Sequence, residues 1–377
     1  MFRLTAGRHS DTFGKQVFTE MPSRIAGSGL VRALTFPHGP ERFLELVAPR
    51  FALDEVRAEV MLVERPSPGS VTLHLRTNRN WPGFRAGQFV NVTVEIDGRR
   101  HTRCYSPACS EHCDGRELEL TVRAHPHGLV SSHLNARARA GMVLGLSRPA
   151  GEFVLPDPRP DHLLLISGGS GITPVLAILR TLADEEHPGR ITFIHYTQHR
   201  REHPYRELLE RLSRDHPRVG VHVIGTREGV APGGAHLTRR QLSTLDADYL
   251  RAEAYVCGPP ALIAAARAIW EQAGAEQRLH RESFLPVTAP VSDEGGRICF
   301  TRSGIEVASS GLSLLEQAER AGLSPTYGCR MGICHTCTTR KLAGRVRDLR
   351  GGELSGEEPQ DVQLCVSVPA GDVELEL

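Results

Sequence analysis

The 377-residue sequence lacks several features that would assign it to common classes. It has no excess of charge of one sign, because 45 Lys and Arg stand against 44 Asp and Glu for a formal net charge of +1. A chain so balanced offers no strong field to nucleic acid or to an anionic membrane surface. No run approaches the ~18–20 apolar residues that a transmembrane helix needs. The opening residues, MFRLTAGRHSDTFGKQ, contain no apolar core of signal-peptide length. These absences predict a cytoplasmic protein with no transmembrane segment of its own. Lysine is scarce beside arginine, a bias that reflects genome composition more readily than function. There is no internal repeat, no G-x-G-x-x-G fingerprint, no diiron His/Glu cluster and no haem-binding motif.

What is present is ordinary in bulk and distinctive in order. Hydrophobic residues make up 40% and charged residues 24%, as in a typical globular protein. The length predicts two to three domains of ~150 residues. Residues 1–55 form an N-terminal extension punctuated by Pro and Gly, with two short apolar-periodic stretches. Residues 56–157 alternate apolar and polar positions in short runs (VTLHLRT, FVNVTVEI, LELTVRA, MVLGLS), the pattern of an antiparallel β-barrel or sandwich. From 158 to 286 strands such as DHLLLIS, ITFIHYT, RVGVHVIG and AEAYVCG alternate with helices such as ITPVLAILRTLADEE and PPALIAAARAIWEQAG. That alternation predicts a doubly wound α/β domain. A Pro- and Gly-rich linker, 287–296, leads to a last unit of residues 297–377.

Three of the nine cysteines crowd into that last unit as Cys329, Cys334 and Cys337, a C-x4-C-x2-C run, and Cys365 follows after twenty-seven residues. Four thiolates at this spacing, three of them on one tight loop, match the plant-type [2Fe–2S] site. Zinc would call for two C-x2-C knuckles, and only one C-x2-C exists. Gly328 and Gly332 let the loop turn back and aim backbone N–H groups at the sulfurs. The run LCVSVP predicts that the fourth cysteine lies in a strand. His335, between two of the cysteines, reads as an ordinary loop residue.

In the barrel-type region, Arg103-Cys104-Tyr105-Ser106 follows a strand. One extended segment there supplies an aromatic for an isoalloxazine, a hydroxyl for its reactive nitrogen and a permanent cation for a phosphate. About twenty residues on, TVRAHPHGLVSSHL carries Arg123, Gly128 and Val130 into a helix start with Ser131 and Ser132. Those donors suit a pyrophosphate, hence FAD rather than FMN. In the α/β region, LLLISGGSGITP runs through Gly168, Gly169 and Gly171 to Thr173 and Pro174, a strand–helix turn that can approach a phosphate. Cys257, Gly258 and Pro259 end another strand at the carboxyl edge of the sheet, where such domains bind ligands. After ITFIHYT come Arg200 and Arg201, with the first acid, Glu202, one residue beyond. That order predicts a 2′-phosphate contact and a preference for NADPH over NADH.

Taken together, these motifs resemble the ferredoxin–NADP reductase superfamily in its form with a C-terminal ferredoxin. The resemblance implies that Arg103, Tyr105 and Ser106 cradle the flavin and that Gly128, Val130 and Ser131 close over its phosphates. It implies that the turn with Thr173 and Pro174 binds the nicotinamide nucleotide and that Cys257 sits near the nicotinamide. Glu282, Ser283 and Phe284 look like the family's E-x-F ending beside the flavin; Ser106, Cys257 and Glu282 are thus the candidate catalytic residues. It also implies a multidomain fold: an antiparallel β-barrel flavin domain, a doubly wound α/β nucleotide domain and an α+β β-grasp ferredoxin domain. The ferredoxin run YGCRMGICHTCTTRKLAGRVRDL, with QLCVSVPAGDVELEL and the N-terminal TFPHGPERFLELVAPRF, is most similar to actinobacterial reductases serving membrane-bound acyl-CoA Δ9 desaturases.

Nicotinamide gives up two electrons as hydride, a [2Fe–2S] cluster takes one, and a flavin can do both. A chain with all three sites but no terminal oxidase site must pass electrons to a separate protein. The expected acceptor is an oxygen-activating enzyme, a desaturase first, with a P450, a ring-hydroxylating oxygenase or a hybrid-cluster protein as alternatives. A desaturase acceptor would hold this protein peripherally at the membrane. The rival reading from another class is a non-catalytic redox sensor.

Overall fold

The computed structural model describes residues 52, 55–125, 128–201, 203–228, 236–284, 295–328, 330, 332, 335–350 and 352–377. Nearly all of the expected N-terminal extension, most of the linker, Glu202, Cys329 and Cys334 lie outside the described residues.

The first sheet holds six strands: β1 (Val56–Ser67), β2 (Ser70–Thr77), β3 (Val90–Ile96), β4 (Arg99–Tyr105), β5 (Glu117–Arg123) and β6 (Val143–Leu146). Their order is β4-β3-β6-β1-β2-β5, and every pairing is antiparallel. Period-two alternation aims Val71, Leu73 and Leu75 of β2 and Leu118, Leu120 and Val122 of β5 into one core, where all are buried. Full burial of each such side chain contributes about 1.5–3 kcal/mol. The sheet curls into a half-barrel. Its end strands β4 and β5 approach each other but share no ladder. Helix α1 (Leu129–Arg137) covers the open end with Val130 and Leu134.

The second sheet is wholly parallel: β7 (His162–Gly168), β8 (Arg190–Thr197), β9 (Val219–Gly225), β10 (Glu253–Cys257) and β11 (Leu279–Glu282), in the order β11-β10-β7-β8-β9. Alternate residues of β7 serve opposite faces. Leu163 and Leu165 pack with α2 (Ile172–Asp184) and α3 (Arg206–Asp215), whereas Leu164 and Ile166 pack with α4 (Arg239–Leu245) and α5 (Pro260–Gln272). Strand order reverses between β7 and β10, which opens a crevice at their carboxyl ends.

The half-barrel and this α/β unit share a core: Ala86, Ala108, Phe153 and Leu155 of the former join Ile178, Leu179 and Leu182 of α2. Polar contacts frame it. Arg180 of α2 donates to the Ala108 carbonyl (2.9 Å) and to Glu119 (2.8 Å). Arg159 bridges Glu111 and Glu185, at 2.7 Å to each.

The third sheet, β13-β12-β16-β14-β15, is mixed. It contains β12 (Arg297–Phe300), β13 (Ile305–Ala308), β14 (Thr338–Asp348), β15 (Gln360–Gln363) and β16 (Ser367–Leu375), with β12 and β16 parallel at its centre. Helix α6 (Leu314–Arg320) starts on a capping box of Ser313 and Glu316 and buries Leu314, Leu315 and Ala318 against the sheet, completing a β-grasp. Lys341 of β14 is 0% exposed. Its ammonium donates to the carbonyls of Gly344 (2.7 Å), Gly356 (3.0 Å) and Glu358 (2.8 Å), with Glu357 at 3.3 Å.

One expectation fails here. Cys365 is not in a strand; it occupies a single 3-10 turn, Leu364–Val366, between β15 and β16. The LCV run has strand composition, but its backbone groups go elsewhere. Leu364 N–H donates to the Cys337 carbonyl (3.2 Å) and Cys365 N–H to Cys337 Sγ (3.5 Å), so the cysteine loop takes the bonds a ladder would have used.

Candidate flavin, nucleotide and iron–sulfur sites

Strand β4 lies at a sheet edge and pairs only with β3, which places Arg103 opposite Val92 and Tyr105 opposite Val90. Arg103 and Tyr105 thus share one face, and Cys104, on the other, bonds Asn91 Oδ1 at 2.8 Å. The Arg103 guanidinium donates to the Thr102 carbonyl (2.7 Å), and burial pushes the Tyr105 hydroxyl above its usual range. Ser106 leaves the strand at 3% exposure, and its Oγ has no hydrogen-bond partner among the described residues. A buried hydroxyl without a partner normally costs ~1–3 kcal/mol, so this one fits a polar ligand atom.

Gly128 caps α1. A helix N-terminus presents backbone N–H groups that suit a phosphate. Ser131 Oγ is already engaged by His125 N–H (3.1 Å), and Ser132 is exposed. The Val130 side chain is in the barrel core, so only its backbone can face a ligand. Arg123, at the end of β5, is exposed and lines a cleft between the two units together with Gly169, Ser170 and Thr173.

The two loops at the crevice are packed backbone to backbone. A Cβ on Gly171 would stand 2.4 Å from the Cys257 carbonyl oxygen, and one on Gly168 would meet Pro259 at 2.8 Å and Leu262 at 2.9 Å. Thr173 and Pro174 are buried in the first turn of α2, where proline's missing N–H costs nothing. Pro259 caps α5, and Gly258 lies against the Gly168 backbone. The glycines required here are therefore demanded first by this turn-on-turn contact.

Cys257 is fully buried and pairs in register with Ser167 on one side and Glu282 on the other. Burial, with Glu282 beside it, pushes the Cys257 thiol up, so it stays protonated. Burial also pushes the Glu282 carboxyl up to about 8, and Glu282 Oε2 has no partner among the described residues. A raised carboxyl binds its proton in the folded state and loses it in the unfolded one between its ordinary pKa of 4.5 and about 8. Stability is therefore full below pH ~4.5, declines as pH rises, and levels off above ~8. Glu282→Gln, which mimics the neutral acid, is expected to flatten that slope in melting curves from pH ~5 to ~9. An unchanged slope would assign the titration to another group.

Sequence reasoning missed part of the nucleotide region. Arg200 and Arg201 line a cleft of about 810 Å3, and so does Arg206 of α3. Arg200 is committed to Glu228, through its Nε (2.7 Å) and its backbone N–H (2.9 Å). These bonds hold the Glu228 carboxyl below its usual range. His203 belongs to the walls of both this cleft and the one over the Gly-rich turn. Burial, and then Arg206, lowers its pKa to about 4, and neither ring nitrogen has a partner among the described residues. Its neighbour His195, bonded to Ser167 Oγ at 2.9 Å, is lowered by burial and by His203 to about 3. Nothing in the local sequence singles out these histidines; their place at the β8 end does.

In the third unit Cys337 and Cys365 are buried side by side, 2% and 6% exposed. Gly332 N–H donates to Cys365 Sγ at 3.2 Å. Its φ of +72° suits glycine, and a Cβ there would meet Val366 at 2.8 Å. Backbone donors aimed at sulfur fit thiolate ligands of a cluster. Cys329 and Cys334, the other two expected ligands, lie outside the described residues. No helix among the described residues is long and apolar enough to cross a membrane.

Comparison with known proteins agrees with this layout. Residues 63–155 match the oxidoreductase FAD-binding domain, 165–268 the oxidoreductase NAD-binding domain and 300–370 the 2Fe-2S iron-sulfur cluster binding domain. An NADPH oxidoreductase of Mycobacterium tuberculosis is 35% identical over 348 residues, 91% of this chain and 90% of its own. A glycine betaine monooxygenase reductase subunit of Pseudomonas aeruginosa is 29% identical over 78% of this chain and 87% of its own. Phthalate dioxygenase reductase has a similar fold, with a TM-score of 0.56 at 22% identity, covering 85% of this chain and 97% of that one. The chain is an NAD(P)H oxidoreductase that uses FAD and a [2Fe–2S] cluster, and it belongs to the ferredoxin–NADP reductase superfamily in the form with a C-terminal [2Fe–2S] domain.

Proposed function

We propose that this protein is the reductase of an oxygen-activating system, that NADPH is its donor, and that its acceptor is a membrane fatty acyl-CoA desaturase. The bound flavin supplies the exchange between a hydride and single electrons. The chain's residues bind, orient and seal. The Gly168–Gly171 turn and the α2 start hold the nucleotide pyrophosphate, with Arg123 facing it across the cleft. Ser106 offers its hydroxyl to the flavin, and the protonated Cys257 and neutral Glu282 keep charge and water from the nicotinamide side. Arg201 and Arg206 take the 2′-phosphate, while Arg200 neutralises Glu228, which would otherwise repel it.

The acceptor reading rests on the desaturase-reductase likeness of residues 35–51 and of the ferredoxin run. The alignment with the M. tuberculosis oxidoreductase takes in 91% of the chain, against 78% for the glycine betaine monooxygenase reductase. Relatives named as monooxygenase reductase and epoxidase subunits support an oxygenase partner in general. The test is reconstitution with a membrane acyl-CoA desaturase, a P450 and a ring-hydroxylating oxygenase in parallel. NADPH-dependent unsaturated product is expected from the first, and turnover confined to either of the others would overturn the reading. In the same assay Arg201→Ala and Arg206→Ala are expected to lower kcat/KM for NADPH about tenfold each and leave NADH unaffected. Equal use of both nucleotides by the unaltered enzyme would refute the 2′-phosphate pocket.

A further inference from the structure

The loop from β4 to β5 carries two cysteines four residues apart, Cys109 and Cys113, which belong to neither the cluster nor the nucleotide crevice. Cys109 is 4% exposed, Cys113 is half-buried, and their sulfurs lie 3.7 Å apart. Backbone groups hold each one: Glu119 N–H donates to Cys109 Sγ (3.4 Å), and Cys113 Sγ donates to the Glu117 carbonyl (3.2 Å). A disulfide needs ~2.05 Å, so the sulfurs have only about 1.7 Å to close.

The three residues between them all grip the nucleotide unit. Ser110 Oγ accepts from Thr181 Oγ1 (3.4 Å), Glu111 N–H donates to Thr181 Oγ1 (3.0 Å), and His112 Nε2 meets Glu185 at 2.9 Å. Glu111 also takes the Arg159 guanidinium and the Ala86 N–H, both at 2.7 Å. The loop bracketed by the two thiols is therefore the clamp that seats α2 on the half-barrel.

We propose that Cys109 and Cys113 form a thiol–disulfide switch, closed by hydrogen peroxide, that shifts this clamp and slows hydride transfer between the two units. Cys113 is the attacking thiol, because it reaches solvent. Once ionised, Cys113 can accept from the Cys109 thiol; that bond, and then the Arg180 guanidinium, hold the Cys113 thiol below its usual range against the opposing effect of burial. The Cys113 thiolate displaces hydroxide from peroxide to give a sulfenic acid. Cys109 then attacks that sulfur, the S–S bond forms, and the oxygen leaves as water with the Cys109 proton. Two thiols lose two electrons in all, and one peroxide becomes two waters. Peroxide is what forms when electrons of a reductase pass to dioxygen instead of the acceptor, so the switch answers uncoupled turnover.

The holoenzyme is the material for the test. After peroxide treatment, alkylation and trypsin, Cys104, Cys109 and Cys113 fall in a single peptide, residues 104–116, separate from the cluster cysteines. That peptide is expected to carry one alkyl group and a disulfide in place of three alkyl groups. NADPH–ferricyanide turnover, which does not need the cluster, is expected to fall about tenfold and to recover with dithiothreitol. Cys113→Ser and Cys109→Ala should start from unaltered turnover and resist peroxide. Three alkyl groups after treatment, a disulfide without loss of turnover, or equal loss in both variants would each overturn the proposal.

Discussion

Replacing Cys365 by serine is expected to erase the visible absorbance of the cluster and to reduce NADPH-driven cytochrome c reduction to background. Ferricyanide reduction, which draws on the flavin directly, should persist. The reason is local. Cys365 sits on a 3-10 turn whose N–H reaches Cys337 Sγ, and its own sulfur accepts from Gly332 N–H. A serine oxygen is harder than a thiolate sulfur and its hydroxyl far less readily ionised than a thiol, so it binds iron poorly at this position. Cys334→Ser should behave in the same way. A Cys365→Ser protein with a normal cluster spectrum would mean that the ligand set is wrong. A protein that loses ferricyanide reduction as well would place the damage in folding rather than in the cluster.

Gly171→Ala should impair the enzyme severely without touching a cofactor-binding side chain. The added methyl would stand 2.4 Å from the Cys257 carbonyl oxygen and 2.7 Å from Gly258 N, and both are backbone atoms that cannot rotate away. Overpacking of this kind costs about 1–3 kcal/mol of stability. The effect on rate should be larger. Relief requires the Cys257–Gly258 turn to move, and a displacement near 1 Å can lower a rate about 100-fold. Stopped-flow measurement of flavin bleaching by NADPH, beside a melting curve, separates the two effects. Wild-type bleaching in this variant would show that contact between the turns does not set the nicotinamide position.

Much of this arrangement was legible in the sequence because periodicity and covalent spacing are local. Runs such as VTLHLRT and DHLLLIS differ in period, and that difference separates an antiparallel sheet with one buried face from a parallel one buried on both. Cysteine spacing carries its chemistry directly. What escaped depends on contacts between distant segments. LCVSVP looked like strand throughout because composition does not report that Leu364 and Cys365 give their N–H groups to Cys337. Arg206 lies on a helix whose sequence reads as an ordinary amphipathic surface, and what marks it is the cleft it lines together with Val221, Val223 and Glu228 from later in the chain. The Gly-rich turn suggested room for a phosphate, whereas two of its glycines are fixed by a second turn nearly ninety residues later. The clamp at Ser110–His112 had no signal, since its partners Arg159, Thr181 and Glu185 lie beyond the barrel segment.

The sequence contains only two lysines, Lys15 and Lys341, and the second is walled in by four carbonyl oxygens. Positive charge on the surface of the described residues is therefore carried by guanidinium groups and the occasional histidine. An acceptor protein that docks there meets planar, forked donors matched to paired carboxylate oxygens, and contacts of that geometry survive alkaline conditions in which ammonium groups discharge. Amine-directed reagents have no accessible lysine to modify on the described residues. A carboxylate-to-amine crosslinker could accordingly join an acceptor to this surface only through the acceptor's amines and this protein's carboxylates, whereas an arginine-selective dicarbonyl would compete with docking.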